Sequence, residues 1–292
     1  MPHILDGKKI AQKLKDNLKI EIVNLNSKFK RVPGLAVVQV GNVTASSVYV
    51  KAKTKAAQEV GIKVIDHHLK ENTNQSELIN LINQLNNNKD VDGILIQLPL
   101  PKAINEEVVL NSIIPEKDAD GFHPLNVGKL SISSKNEENL MIPCTPYGCL
   151  LLLRELNINL AGKNAVVIGR SNIVGKPMAQ LLLKESCTVT IVHSKTLNIE
   201  SICKNADILI SAIGKPEFVN KDWVKEGAII IDVGINRIKI NEEKSKLVGD
   251  VLFSDVENKV SAISPVPGGV GPMTIACLLR NTTTAYKLKY NY

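Results

Sequence analysis

Apolar and polar positions along the chain follow two registers that take turns. From Lys8 to Ile22 the apolar residues Ile10, Leu14, Leu18 and Ile22 recur every four positions, with Asp16 and Glu21 among the intervening lysines. That spacing lays one apolar stripe along a helix and predicts an amphipathic core helix. Leu35–Val40 is a short, largely apolar run, the pattern of a strand buried on both faces. Thr44–Val60 predicts a helix that Gly61 stops, and Lys63–His68 a second strand. Ser76–Leu85 reads as a helix ending in an Asn run. Val91–Gln97 is an apolar strand closed by Leu98-Pro99-Leu100-Pro101. Strand–helix–strand units in succession imply a parallel sheet covered on both faces.

A polar stretch, Ser131–Asn139, interrupts this series, and the alternation then restarts. Thr145–Leu156 and Val174–Glu185 carry helical spacing, while Asn164–Ile168, Thr188–Val192, Ile208–Ser211 and Ala228–Val233 are short apolar strands. The expected fold is α/β with two α/β domains. Residues 1–139 form the first and residues 140–273 the second, a Rossmann-like, doubly wound parallel sheet. The helix over 274–292 is expected to pack back on the first domain.

Composition narrows the partners. The 292 residues are 44% hydrophobic, enough for a sizeable core. Near Leu150–Leu153 the longest apolar run stops at Arg154 and Glu155, far short of a membrane span. The N-terminus lacks the charged-then-apolar layout of a secretory signal, and the acids in Lys8–Ile22 disfavour a transit peptide. Five cysteines (144, 149, 187, 203 and 277) form no Cys-x-x-Cys pair, which points to reduced thiols in the cytoplasm and to no metal. The net charge of +7 raises nucleic acid as a partner, but the lysines are dispersed and aromatics are only 3%, so base-stacking platforms are scarce. A solvated surface and a small anionic ligand account for the charge without nucleic acid or membrane.

In the second half, Ala165-Val166-Val167-Ile168-Gly169-Arg170-Ser171-Asn172-Ile173-Val174-Gly175-Lys176-Pro177 runs from a strand through a glycine turn into a helix. Backbone N–H groups at such a helix start receive a pyrophosphate. Ser171 stands in place of the second glycine and the third falls one residue late, so by itself this is also the pattern of a plain turn. The next strand ends in His193-Ser194-Lys195-Thr196, with no carboxylate to grip a ribose hydroxyl or repel a 2′-phosphate. Arg170, Ser194 and Lys195 are suited to charge-assisted bonds with that phosphate, which favours NADP over NAD.

In the first half, Tyr49 and Lys53 lie four apart on one helix face. Lysines 51, 53 and 55 crowd this helix, and the plain reading leaves all of them solvated. Lys53 alone has Tyr49, Val50, Ala56 and Ala57 three and four residues away. A lysine drawn into such a stripe loses hydration, which favours its neutral form and makes a usable base. A Tyr-x-x-x-Lys pair also occurs in short-chain dehydrogenases, where it follows the nucleotide loop; here it precedes the loop by more than a hundred residues. Gln97 ends a buried parallel strand, the place where ligand sites gather in such sheets. Pro115–Gly121 offers closely spaced acids, but the twelfth position from Glu116 is Val127, which excludes a calcium loop. Pro265–Thr274 is a Gly/Pro-rich loop before a helix, able to bring backbone close to a flat ligand.

Taken together, Ser46-Ser47-Val48-Tyr49-Val50-Lys51-Ala52-Lys53, Ile96-Gln97-Leu98-Pro99-Leu100, Glu116–Gly121, Pro143-Cys144-Thr145-Pro146, Gly169-Arg170-Ser171 and Pro265–Thr274 resemble the bifunctional methylenetetrahydrofolate dehydrogenase/methenyltetrahydrofolate cyclohydrolase family over nearly the whole chain. The resemblance implies a cytoplasmic homodimer acting on tetrahydrofolate derivatives with NADP in one-carbon metabolism, serving purine biosynthesis, with its active-site cleft between the domains. It implies Lys53 as general base and acid of ring opening, oriented by Gln97. Tyr49 would stack on the benzoyl portion of folate and Asp120 accept N–H bonds from the pterin. Leu98, Pro267, Gly268 and Gly269 would complete the substrate contacts, and Gly169, Arg170, Ser171, Ser194, Ile235 and Thr274 the cofactor site. Two other readings of the residues are an NADP-dependent reductase of another substrate and a nucleotide-binding module without catalysis.

Overall fold

The computed structural model describes residues 1–41, 44–133, 137–241 and 245–292, with residues 44–48 described by their backbone alone. In chain order its strands and helices are β1 (His3–Ile4), α1 (Gly7–Phe29), β2 (Gly34–Val40), α2 (Thr44–Val60), β3 (Lys63–Leu69), α3 (Gln75–Asn87), β4 (Gly93–Ile96), α4 (Glu106–Asn111), α5 (Pro124–Ile132), α6 (Cys144–Arg154), β5 (Asn164–Ile168), α7 (Gly175–Lys184), β6 (Thr188–Val192), α8 (Ile199–Cys203), β7 (Ile208–Ser211), β8 (Ile229–Asp232), β9 (Asn236–Lys239), β10 (Ser245–Val248), α9 (Phe253–Val256), β11 (Ala262–Ile263) and α10 (Val270–Lys289). Among the described residues, no helix is long and apolar enough to cross a membrane. The polar stretch Ser131–Asn139 includes residues 134–136, which lie outside the described residues.

The chain divides into two compact units, one of Gln12–Cys144 with Ile275–Tyr292, the other of Met1–Ala11 with Thr145–Thr274. The first is built on a parallel three-stranded sheet ordered β3-β2-β4. Every residue of the central strand β2 is buried, which is why its sequence reads as continuously apolar rather than alternating. On one face Ala36, Val38, Ile94 and Ile96 pack against Leu78, Ile82 and Leu85 of α3 and Val109 of α4. Asn74 starts α3 with a reciprocal capping box: its side chain accepts from Glu77 N, and the Glu77 side chain accepts from Asn74 N. Such a cap is worth about 1 kcal/mol. On α10, Thr282 comes so close to Gly93 that a Cβ there would lie 3.0 Å from the Thr282 hydroxyl. At the N-terminal end of β4, the buried Asp92 takes a two-pronged bond from Arg31 (3.1 and 2.7 Å) and another from Gly34 N (2.8 Å). Tyr286 of α10 donates to Arg31 O at 2.7 Å.

The second unit carries a six-stranded sheet ordered β1-β11-β8-β7-β5-β6, parallel throughout. From β5 the chain first adds β6 on one side, then crosses to add β7, β8 and β11 on the other. The order therefore reverses between β5 and β7, and the crevice beyond their carboxyl ends is where doubly wound sheets bind ligands. The strand β1, from the chain's beginning, completes the far edge through His3 N–Ser261 O (2.8 Å) and Leu5 N–Ile263 O (2.9 Å). A separate antiparallel hairpin, β9–β10, follows β8.

Candidate active site

In the three-stranded unit, α2 separates its lysines as the apolar stripe demands. Lys53 is 5% exposed, while Lys51 is exposed and the Lys55 side chain is 80% exposed. The Lys53 ammonium donates to Gln97 Oε1 at 3.1 Å and lies 4.8 Å from the centre of the Tyr49 ring. Gln97 sits one residue beyond β4, its main-chain N–H bonded to Val38 O of β2 at 2.8 Å. Its own Nε2 donates to Leu98 O at 2.6 Å, which turns the amide oxygen toward Lys53. Leu98 is partly exposed, and its bond to Pro99 is cis.

Burial pushes the Lys53 amine below the usual lysine range, against the pull of Asp120 and Cys144, which favour its charged form. Burial likewise pushes the Asp120 carboxyl up to about 6; Lys53 draws it down and Asp118 raises it further. The two groups thus act on each other through their charges, with their affinities for the proton brought closer together, the arrangement expected where a proton must move. Sequence alone does not separate Asp120 from Asp118, two residues away. Asp118 is buried and fully engaged, accepting from Gly121 N (3.0 Å), His123 N (2.8 Å) and Asn126 Nδ2 (2.9 Å). It shapes the loop, while Asp120 is the acid whose charge acts on the lysine. The buried Cys144 thiol, raised well above its usual range by burial first and then by Asp120, lies in the same cluster.

In the six-stranded unit, the turn between β5 and α7 stands at the reversal of strand order. Gly169 has φ +119°, and a Cβ there would lie 2.3 Å from Ala212 O at the end of β7. A Cβ on Gly175 would meet Gly169 O at 2.2 Å, so both glycines are required for this tight a turn. The Ser171 hydroxyl accepts from Val174 N (3.1 Å) and Gly175 N (3.3 Å), capping α7 from three residues upstream while keeping its own O–H to donate. Arg170, Ser194 and Lys195 are exposed. Gly169 N bonds Val192 O at 2.9 Å, so the turn adjoins the end of β6, two residues before Ser194. Ile235 is 58% exposed, an apolar side chain held in the open.

The Pro265–Thr274 loop is anchored by contacts that its sequence does not announce. Gly268 O accepts from Lys8 N at 3.1 Å, Gly269 N bonds Pro265 O at 2.8 Å, and a Cβ on Gly7 would lie 1.7 Å from Gly269 O. Pro267 is exposed after a cis bond from Val266, Gly268 is partly exposed and Gly269 is buried. Thr274 shares a 3.0 Å hydrogen bond with Thr145 and donates to Val270 O at 3.3 Å.

Two buried acids, unmarked by any motif, brace the carboxyl end of β8. Asp232 accepts from Gly234 N, Asp250 N and Val251 N, each at 2.9 Å. Asp250 accepts from Ile213 N (2.8 Å), Gly214 N (3.1 Å) and Asn236 Nδ2 (2.9 Å). Burial raises the Asp232 carboxyl to about 7 although the three main-chain donors favour its charge. Together they fix the turns that follow β7 and β8, including the segment that carries Ile235.

Comparison with known proteins gives two matches, one over each half of the chain. The model of the tetrahydrofolate dehydrogenase/cyclohydrolase catalytic domain matches residues 5–120, and that of the NAD(P)-binding domain of the same proteins matches 143–290. The bifunctional protein FolD of Campylobacter concisus is 56% identical over 286 residues, covering 98% of each chain. Its namesake from Acetivibrio thermocellus is 54% identical over 286 residues, 98% of this chain and 97% of that one. Among solved structures, the bifunctional FolD enzyme of Campylobacter jejuni aligns with a TM-score of 0.93 at 48% identity over 99% of this chain and 100% of its own. The Trypanosoma brucei methylenetetrahydrofolate dehydrogenase-cyclohydrolase, complexed with NADP and an inhibitor, aligns with a TM-score of 0.94 at 38% identity, covering 100% and 99% of the two chains.

Proposed function

The chain belongs to the tetrahydrofolate dehydrogenase/cyclohydrolase family, and from that premise we propose how its own residues divide the two reactions of a bifunctional enzyme. It oxidises 5,10-methylenetetrahydrofolate to 5,10-methenyltetrahydrofolate with NADP⁺, then hydrolyses that product to 10-formyltetrahydrofolate. The observation that carries the division of labour is the buried, deprotonation-prone Lys53, held by Gln97 and acted on by the charge of Asp120.

NADP⁺ supplies the acceptor for the hydride, and the folate nitrogens supply the electron push. The protein's task in that step is to align two rings and exclude water. The tight glycine turn at Gly169 and Gly175, which leads from the end of β5 into the start of α7, suits a pyrophosphate held by main-chain N–H groups. Arg170 and Ser194 suit the 2′-phosphate, and Ile235 suits an apolar ring face. In the same scheme Thr274 contacts the cofactor and the Pro267–Gly269 backbone contacts the folate.

Ring opening needs proton transfer. Water bonds through oxygen to the methenyl carbon and gives a proton to the neutral Lys53 amine. Lys53 then returns a proton to the ring nitrogen as its bond to that carbon breaks, and the hydroxyl proton leaves as the formyl C=O forms. Gln97 fixes the amine's direction, Tyr49 stacks on the benzoyl portion, Leu98 adds an apolar contact, and ionised Asp120 accepts N–H bonds from the pterin.

In the Lys53→Met variant, cyclohydrolase turnover is expected to vanish while hydride transfer stays measurable, because only hydrolysis uses the amine. Equal loss of both activities with folate binding intact would sink this division. A cytoplasmic homodimer that delivers formyl groups to purine biosynthesis is the form in which we place the enzyme. Family membership supports it, and the five free, buried cysteines suit a reducing compartment.

A further inference from the structure

Asp120 belongs to no helix or strand, so its carboxylate is placed by whatever holds the main chain around it. On one side Ala119 N bonds Ile94 O at 3.3 Å, and Asp118 forms an isolated parallel bridge with Ile94. On the other, Gly121 (φ +77°) crosses Ile142 and Pro143 so closely that a Cβ would lie 2.6 Å from both Ile142 C and Pro143 N. The crossing is fastened from α10. Asn281, fully buried, donates through Nδ2 to Ala119 O at 2.9 Å and to Ile142 O at 2.8 Å, with Cys144 Sγ at 3.6 Å. Cys144 closes the ring, its N–H on Asp120 O (3.3 Å) and its thiol on Ala119 O (3.3 Å). Arg280 fixes the amide's other end by donating to Asn281 Oδ1 at 3.1 Å.

The neighbours of Asn281 sharpen its role. The run Asn281-Thr282-Thr283-Thr284 is wholly polar, yet all four residues are buried. Thr282 and Thr283 return their hydroxyls to their own helix, at Leu278 O and Leu279 O, and Thr284 contacts Glu138 O. Only Asn281 of the four reaches the segment that carries Asp120. An amide nitrogen has two hydrogens, and both are directed to main-chain carbonyls flanking the crossing.

We infer that Asn281 is a positioning residue for the Lys53–Asp120 pair: it clamps the Ala119–Gly121 turn against Ile142–Cys144 and thereby holds the Asp120 carboxylate toward Lys53. The inference rests on the roles given to Lys53 and Asp120 above.

The test is Asn281→Leu, which keeps the volume and removes the donors, in the full-length enzyme. The titration of Lys53 is read by competitive acylation and mass spectrometry across pH, alongside both activities. Asp120 favours the charged amine, so withdrawing it is expected to lower the Lys53 pKa further. Cyclohydrolase kcat is expected to fall about 100-fold, as a displacement of order 1 Å does, while the KM for NADP⁺ stays unchanged. General loosening would instead hydrate Lys53 and move its pKa up; an upward shift, or none, overturns the inference. Should the leucine variant fail to fold, Asn281→Ser, which keeps a single donor, is expected to show the same downward shift in smaller degree. If Lys53→Met retains hydrolysis, the reading of Lys53 itself has failed; an unmoved Lys53 titration in Asn281→Leu fails the clamp alone.

Discussion

Burial holds the Asp120 carboxyl near 6 where an unfolded chain leaves it near 3.8. The folded state therefore binds this proton more tightly, and the ionised group costs stability at neutral pH; the cost is relieved as pH falls from about 6 toward 3.8. Asp120→Asn is thus expected to melt higher than the parent at pH 7, by at most about 3 kcal/mol and by less once the lost attraction to Lys53 is counted. The gap should close below pH 4, and folate affinity should fall. Thermal melts at the two pH values check this; a variant that melts lower at pH 7 refutes it. The same shift predicts that kcat/KM for the folate drops below about pH 6, as Asp120 loses its charge. Residues of this kind are unevenly legible. Lys53 stood apart in the sequence because its neighbours three and four positions away are apolar, and it is indeed the lysine of α2 that is buried. Asp120 was reached only through family resemblance, since nothing in the spacing distinguishes it from Asp118. Asn281 was illegible: its partners are carbonyls 139 and 162 positions away, and no sequence pattern numbers those.

At the scale of elements, the pattern of apolar positions worked for the long helices and for the apolar strands, including the exposed edge strand Thr188–Val192. The strands Asn164–Ile168, Thr188–Val192 and Ile208–Ser211 and the helix Thr44–Val60 have their expected bounds. The two-residue strands β1 and β11, the four-residue helix α9 and the exposed hairpin β9–β10 are too short or too solvated to carry a period. The β5–α7 turn shows how an apparent defect in a motif becomes an element's support. Ser171, where a second glycine was expected, supplies the cap that Val174 at the helix start cannot. Ser171→Ala is therefore expected to lose about 1 kcal/mol of stability, the ordinary worth of a cap. The KM for NADP⁺ should rise while cyclohydrolase turnover on supplied methenyltetrahydrofolate stays unchanged. Unaltered melting and unaltered KM together would show that the hydroxyl supports neither helix nor cofactor.

The restart of alternation after residue 139 made two α/β bodies legible, because a parallel sheet cannot form without repeated crossovers. Of the chain's two ends, the return of the last helix to the first body was expected, whereas the transfer of Met1–Ala11 to the six-stranded unit was not. The three-stranded unit draws residues Ile275–Tyr292 from the far end of the chain, and they are no mere appendage. Cys277, Leu278, Leu279, Asn281, Thr282 and Tyr286 are all fully buried. The six-stranded unit closes with Thr274 and needs nothing beyond it for any of its strands. A chain ended at Thr274 should therefore lose one unit and keep the other. Losing that many buried side chains from a three-stranded sheet, where deleting one large apolar side chain costs about 2–5 kcal/mol, exceeds an ordinary domain margin of about 5–15 kcal/mol. Hydrogen exchange followed by mass spectrometry is expected to show β2, β3 and β4 unprotected and β5, β7 and β8 still protected. The truncated chain should bind NADP⁺ and have no cyclohydrolase activity. Protection retained in β2 would mean that the three-stranded sheet holds itself together through α1 and α3, with α10 contributing only the Asn281 clamp.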